Sequence, residues 1–303
     1  MPSRTAIPLT VAVVALALAF PFPGTAGARP APDLAPYRGP GAWIDIFDRR
    51  LLLHPGRAVA SLTAHGVKTL YLETANWYRL AKNEPFAHPG AVGRLIDAAH
   101  ASGMKIVAWY LPGFADLATD LRRSLAAIRF TTAAGQRFDS FATDIEASLV
   151  RPIAARNRRL MLLSRRIRGV VGPSYPLGAI VPDDVSTTLL NGLWPFFPYA
   201  SVARVYDVFL PMAYSTNRGH ASSFVYPYTR ANMQLIRARS GRPRMPIHVI
   251  GGLANRMGAA EDAAVIRAAR DGGAIGASFY KVSWSDAGEW AALSACPFPA
   301  TCP

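Results

Sequence analysis

Lysine is nearly missing from this chain: it occurs only at Lys68, Lys82, Lys105 and Lys281, so a formal charge of +14, from 33 basic and 19 acidic residues, is carried almost wholly by arginine. Cysteine is scarcer still. Cys296 and Cys302, at the extreme C-terminus, cannot hold the fold as a disulfide framework, and with no further ligands beside them they do not make a zinc site. No G-x-G-x-x-G or G-x-x-x-x-G-K loop follows any predicted strand, which removes the usual phosphate cradle. His54, His65, His88, His100, His220 and His248 are scattered without H-x-x-x-H or H-E-x-x-H spacing, and Ser215 has no G-x-S-x-G elbow, so neither a metal centre nor a serine hydrolase triad is indicated. No cofactor is implied. After the N-terminus no stretch approaches about 18 uninterrupted apolar residues, which excludes a second membrane span.

The N-terminus itself is apolar. Arg4 precedes a run from Ile7 to Phe20 broken only by Pro8 and Thr10, and the small-residue triplet Ala26-Gly27-Ala28 follows. That order predicts a secretory signal over residues 1–28, cleaved after Ala28 to give a secreted protein, with an uncleaved anchor at the cell surface as the alternative. A Pro-rich leader is expected over 29–40, one barrel-sized domain over 41–295, and a tail over 296–303 in which an exported chain would join Cys296 to Cys302. The charge predicts attraction to anionic cell-surface polymers and only nonspecific attraction to nucleic acid. Its densest stretch, Arg151, Arg156, Arg158, Arg159, Arg165, Arg166 and Arg168, is interleaved with Leu160 to Leu163 and Ile167 and reads as the solvated outer face of an amphipathic helix.

Short β-like runs alternate with helical ones to the end of the chain. Strands are predicted at Ala42 to Phe47, Lys68 to Glu73, Lys105 to Leu111, Phe138 to Glu146, Leu177 to Pro182, Asp207 to Ala213, Pro246 to Gly252 and Gly276 to Val282, each separated from the next by room for a crossover helix. Several are continuously apolar, as parallel strands buried on both faces are. Helices are clearest at Ala91 to Ser102, between His88-Pro89 and Gly103, and at Ala259 to Asp271, stopped by Gly272-Gly273. The pattern predicts a single (β/α)8 barrel, with an open doubly wound sheet as the runner-up. Trp194-Pro195-Phe196-Phe197-Pro198-Tyr199 interrupts it; these aromatics read equally as a sugar-stacking wall, a lid, or a small satellite core.

In a barrel the chemistry sits at the C-terminal ends of the strands. Those ends supply Asp45 and Asp48, Glu73 with Asn76 and Trp77, Trp109 and Tyr110, Asp144 and Glu146, Asp183 and Asp184, Met212 with Tyr214 and Ser215, Asn255, and Tyr280, Lys281 and Trp284. Acidic and aromatic side chains dominate. Carboxylates do acid/base work on a glycosidic oxygen and aromatic rings stack on sugars, so a polysaccharide or oligosaccharide is the substrate class favoured. Asp144 and Glu146 alternate on one strand face with Ala142. For Asp183 and Asp184 a capping role is the plainer alternative, and for Asp144 and Glu146 it is an ion pair with Lys281 or an arginine.

Asp139-Ser140-Phe141-Ala142-Thr143-Asp144-Ile145-Glu146 and Met212-Ala213-Tyr214-Ser215 resemble the D-x-x-D-x-D-x-E and M-x-Y-D segments of family 18 glycoside hydrolases, the chitinase-like barrels, and Trp284 fits their tryptophan after the eighth strand. The resemblance implies Glu146 as proton donor to the leaving oxygen. It implies Asp144 as the residue that orients and stabilises a substrate acetamido group acting as nucleophile, with Tyr214 hydrogen-bonded to that group. Asp45, Glu73, Trp77, Trp109, Tyr110, Asp183, Met212, Tyr280 and Trp284 are expected to line the sugar site. Two positions depart from the pattern: Ala142 and Ser215 stand where the family has carboxylates, removing like-charge neighbours that would raise the pKa values of the site. Three outcomes are compatible with that loss: Asp144 as a direct nucleophile, substrate assistance with altered pH dependence, or glycan binding without cleavage. The lysozyme-like muramidases of family 25 are a second resemblance, through Asp45 and Asp144-Ile145-Glu146.

Overall fold

A computed structural model describes residues 31–185, 187, 192–218, 221–295 and 298. The expected signal segment and both cysteines lie outside the described residues. The strands β1 (Gly39–Ile44), β2 (Thr69–Asn76), β3 (Lys105–Leu111), β4 (Ser140–Asp144), β5 (Leu177–Pro182), β6 (Val208–Met212), β7 (His248–Leu253) and β8 (Gly276–Tyr280) form a closed barrel in sequence order, each pair parallel. Around it run α1 (Arg49–Leu53), α2 (Pro55–Ala64), α3 (Pro89–Ala101), α4 (Leu117–Arg129), α5 (Ile153–Val171), α6 (Tyr199–Val202), α7 (Ser222–Ser240), α8 (Ala259–Asp271) and α9 (Ala287–Ser294). No helix among the described residues is long and apolar enough to cross a membrane.

Strand alternation sends Trp43, Tyr71, Trp109, His248 and Ser278 into the barrel. Trp43 stacks on Tyr71 at 4.3 Å between ring centroids and donates its indole N–H to Ser278 Oγ at 2.7 Å. His248 lies 2.9 Å from the same hydroxyl and 3.2 Å from Tyr71 OH. Burial pushes the His248 imidazole down to about 4, so it packs there uncharged. The packing dictates glycine: a Cβ on Gly41 would lie 2.7 Å from the Tyr71 ring, and one on Gly178 2.8 Å from Tyr37.

That crowding moves one boundary. Gly39 and Pro40, expected in the leader, open β1, and Tyr37 from the short 3-10 turn Ala35–Tyr37 is buried with its hydroxyl 2.6 Å from Ser140 Oγ. Gly39 has φ of 75°, a left-handed conformation that favours glycine. β4 is shorter than its apolar pattern suggests: Asp139 accepts from Lys105 Nζ at 2.9 Å, lies 2.9 Å from His100 Nε2 at the opposite end of the barrel from the site, and Glu146 stands past the last strand residue.

The arginine-rich helix α5 is also not the uniformly solvated face its spacing predicts. Arg156 is only 4% exposed and donates to the carbonyls of Val150 (2.7 Å), Leu193 (3.1 Å) and Ser148 (3.2 Å), while Arg168 binds the carbonyls of Val205, Gly172 and Tyr175 and pairs with Asp207 at 2.6 Å. Arg158, Arg165 and Arg166 do face solvent. The aromatics after β5 join the main core: Trp194 is buried against Phe114 and Phe197 and donates to Asn157 Oδ1 at 2.7 Å, although Phe196 is exposed.

Arg123 of α4 does the same work for the loop between β2 and α3. It is 2% exposed, and its guanidinium donates to the carbonyls of Asn76 (2.9 Å), Leu80 (2.9 Å), Ala81 (3.0 Å) and Glu84 (3.2 Å). Only the planar fork of arginine reaches several carbonyls at once. Arg123→Ala removes a buried side chain and strips these donors from a largely exposed loop and from the buried Asn76, and is expected to cost about 3 kcal/mol in urea unfolding, with earlier proteolysis within 77–88. Arg123→Lys should fall between. An unchanged urea midpoint in the alanine variant would remove the clamp from this account.

Candidate active site

The C-terminal mouth of the barrel contains a cleft of about 190 Å³ whose walls include Glu73, Trp109, Asp144, Glu146, Tyr214 and Tyr280. Each arrives there for a local reason. Glu73 follows Tyr71 in phase on β2, and Asp144 follows Ala142 on β4, so both point inward. Glu146 lies two residues on, half-buried, in the loop whose carbonyls Arg156 holds. Tyr214 stands just past the end of β6.

The carboxyls are desolvated. Glu73, 3% exposed, accepts from the backbone N–H of Ile46 and from Asn76 Nδ2, both at 3.0 Å, yet burial pushes it up to about 7, with Asp45 adding to the rise and Lys281 opposing it. Asp144 is raised well above the usual carboxylate range, first by burial and then by the charges of Glu146 and Glu73. Glu146 is raised by burial. The Tyr214 phenol is pushed well up by burial and by the nearby Glu146 and Asp144, so it is an O–H donor facing both acids. Asp144 Oδ1 and Trp109 Nε1 are buried without a hydrogen-bond partner among the described residues. An unsatisfied acceptor and an unsatisfied donor in one cleft wall are unusual, because each costs free energy unless something binds there.

Of the residues expected to line a sugar site, Met212 joins Glu73, Trp109 and Tyr280 in the cleft wall. Asp45 does not. It is 4% exposed and receives Lys281 Nζ at 2.7 Å and Tyr280 OH at 3.0 Å, while Lys281 also binds Asp48 at 3.0 Å. Asp45, the first element of the muramidase resemblance, is thus bonded to Lys281 and Tyr280 and does not line the cleft. Lys281, a possible partner for Asp144 or Glu146, is committed elsewhere. Tyr110 is one residue out of phase with Trp109 and points to the helix layer, donating to Asp120 at 2.6 Å. Asp183 accepts from Tyr228 of α7 at 2.7 Å, and buried Asp184 pairs with Arg239 at 3.2 Å, a structural rather than substrate-facing placement. Trp77 and Trp284, each 39% exposed, flank the mouth without lining the cleft: one packs edge-on to Tyr78, the other edge-on to Tyr280. Ser215 is buried in the turn after Tyr214 and is not part of the lining.

Phe47 and Tyr78 line the cleft but were not anticipated. Both follow the end of a strand, where the two-residue alternation no longer says which neighbour turns inward.

No protein-family model and no curated protein matches the sequence. Solved structures match the fold. An endo-β-1,4-mannanase from Thermotoga petrophila superposes with a TM-score of 0.64 at 10% identity, over 86% of this chain and 76% of that one. A class V chitinase from Pseudomonas fluorescens gives 0.60 at 12% identity, over 85% and 99%. A class V chitinase mutant from the plant Cycas revoluta, solved with (GlcNAc)3, gives 0.61 at 12% identity, over 84% and 98%. The chain thus has the (β/α)8 fold of chitinase and mannanase barrels.

The raised carboxyls have a thermodynamic sign. Folded Glu73 holds its proton up to about 7 against an ordinary value of 4.5, so the folded state binds protons more tightly than the unfolded chain. Its favourable contribution is full below about pH 4.5 and is lost as pH rises through about 7. In Glu73→Gln the penalty at high pH disappears. The stability of the variant relative to wild type should therefore improve by up to about 3 kcal/mol between pH 4.5 and 7.5, read from urea unfolding across that range. Parallel pH curves would show that Glu73 is not held protonated.

Proposed function

We propose that this chain is an exported glycoside hydrolase that cleaves an amino-sugar polymer with Glu146 as general acid. The observation that carries the proposal is the clustering of Asp144, Glu146 and Tyr214 in one desolvated cleft whose buried Asp144 Oδ1 and Trp109 Nε1 lack partners. An acetamido group has the complementary chemistry, an N–H donor beside a carbonyl acceptor. The chitinase-like fold and the residues 142–146 and 212–214 favour the same class. Export rests on the signal-like residues 1–28.

In the proposed reaction the acetamido carbonyl oxygen forms a bond to the anomeric carbon as the glycosidic C–O bond breaks, and Glu146 gives its proton to the departing oxygen. Asp144, whose Oδ1 is free to accept the acetamido N–H, stabilises the positive charge that spreads over the acetamido group, and Tyr214 donates to its oxygen. Water then attacks the anomeric carbon, returning a proton to Glu146 and restoring the acetamido group. Desolvation suits Glu146 to this role, because an acid must be protonated near its working pH. The enclosed cleft is on the scale of one sugar ring, so longer chains would extend out of its mouth.

Glu146→Gln should lower kcat/KM on N-acetylhexosamine oligomers by about a thousandfold or more while leaving the fold and oligosaccharide binding intact. Asp144→Asn should lower kcat, and oligomers stripped of their acetyl groups should not be cut. Wild-type activity in the Glu146 variant would overturn the proposal. A second reading, glycan binding without turnover, is favoured by Ala142 and Ser215; saturable binding with no reducing ends released between pH 4 and 8 would select it.

A further inference from the structure

Beside the cleft lies a larger cavity of about 690 Å³ walled by Phe47, Arg49, Arg79, Glu84, Phe86 and His88 among others. Phe47 is its common wall with the cleft. The Arg79 guanidinium sits 5.2 Å from the centre of the Phe47 ring and 5.8 Å from that of Tyr78, so it is held against two aromatic walls of the cleft. Its backbone N–H donates to Asn76 Oδ1 at 2.8 Å, in the loop that Arg123 clamps. Cation–π contact and a fixed backbone place the fork before any ligand arrives.

Neither Arg49 nor Arg79 forms an ion pair among the described residues. Glu84, the acid in the wall, turns its carboxylate to the backbone N–H of Ala81 at 3.1 Å. The cavity is therefore a basic site joined to an acidic one. Glu73, Asp144 and Glu146 are desolvated carboxyls that offer a glycan carboxylate no cation, whereas Arg49 and Arg79 would take it, and a guanidinium fork matches a carboxylate in two parallel hydrogen bonds.

We propose that this cavity is a subsite for a carboxylate-bearing sugar on the same chain as the amino sugar bound in the cleft, and that Arg49 and Arg79 set the register of the polymer. This rests on the hydrolase reading and adds the substrate class: a heteropolymer in which an acidic residue neighbours the amino sugar. Electrostatic sorting then selects which ring enters the cleft.

Calorimetric titration of the full-length Glu146→Gln protein separates the two claims. The probes are oligosaccharides alternating N-acetylhexosamine with uronic acid, the same oligomers with carboxylates reduced to alcohols, and a sulfate-ester counterpart of the reduced form. The carboxylated form should bind at least about tenfold more tightly than the reduced one, and adding Arg49→Ala and Arg79→Ala should bring that ratio close to one. Equal affinity for carboxylated and reduced forms, with reduced oligomers still bound, overturns the subsite and leaves the hydrolase reading standing. Persistence of the ratio in the arginine variant overturns it by placing the anion elsewhere. Sulfate esters binding as tightly as carboxylates overturn the carboxylate assignment, and binding of no glycan at all sinks both readings.

Discussion

The loops at the mouth of the barrel are held by arginine side chains that turn inward and give their N–H groups to backbone carbonyls. Arg123 gathers the turn after β2, which carries Tyr78 and Arg79, and Arg156 gathers the turn after β4, which carries Glu146. A loop carbonyl buried without a donor costs free energy, and a lysine ammonium cannot span several carbonyls from one position. That accounts for part of the composition. Arg123 and Arg156 are internal fasteners, whereas most of the other arginines among the described residues face solvent. The position of the candidate acid depends on such a fastener, since Glu146 lies beyond the last strand residue and has no ladder of its own to hold it.

The fold was legible because a parallel barrel writes itself locally. Lys105–Leu111 and Leu177–Pro182 match their predicted bounds, as does the helix Ala259–Asp271, each delimited by apolar continuity and by glycine or proline. β1 was misplaced because Gly39-Pro40-Gly41 looks like a loop by composition. Its glycines answer to the left-handed turn at Gly39 and to the Tyr71 ring beside Gly41, and a long-range contact leaves no local signal. In the site, Glu73, Trp109 and Asp144 were readable because strand phase places them. Asp45 was misread for a different reason: its phase is right, but Lys281, far away in sequence, neutralises it.

The departure at Ala142 takes a different meaning once the strands are aligned. Glu73 on β2 pairs in register with Trp109 on β3, and Trp109 pairs with Ala142 on β4. These residues lie in register across three neighbouring strands and face the barrel interior. The indole sits beside the small residue, and a carboxyl stands two strands away, close enough that its charge raises Asp144. A like charge acts through space and does not need to come from the same strand. Lys281 is spent on Asp45 and Asp48, so Glu73 keeps a high proton affinity, and Glu73 and Asp144 disfavour each other's ionisation. The electrostatic consequence expected from losing a carboxylate at position 142 is therefore offset from β2, and proton retention in the cleft does not require the fourth-strand pattern to be complete.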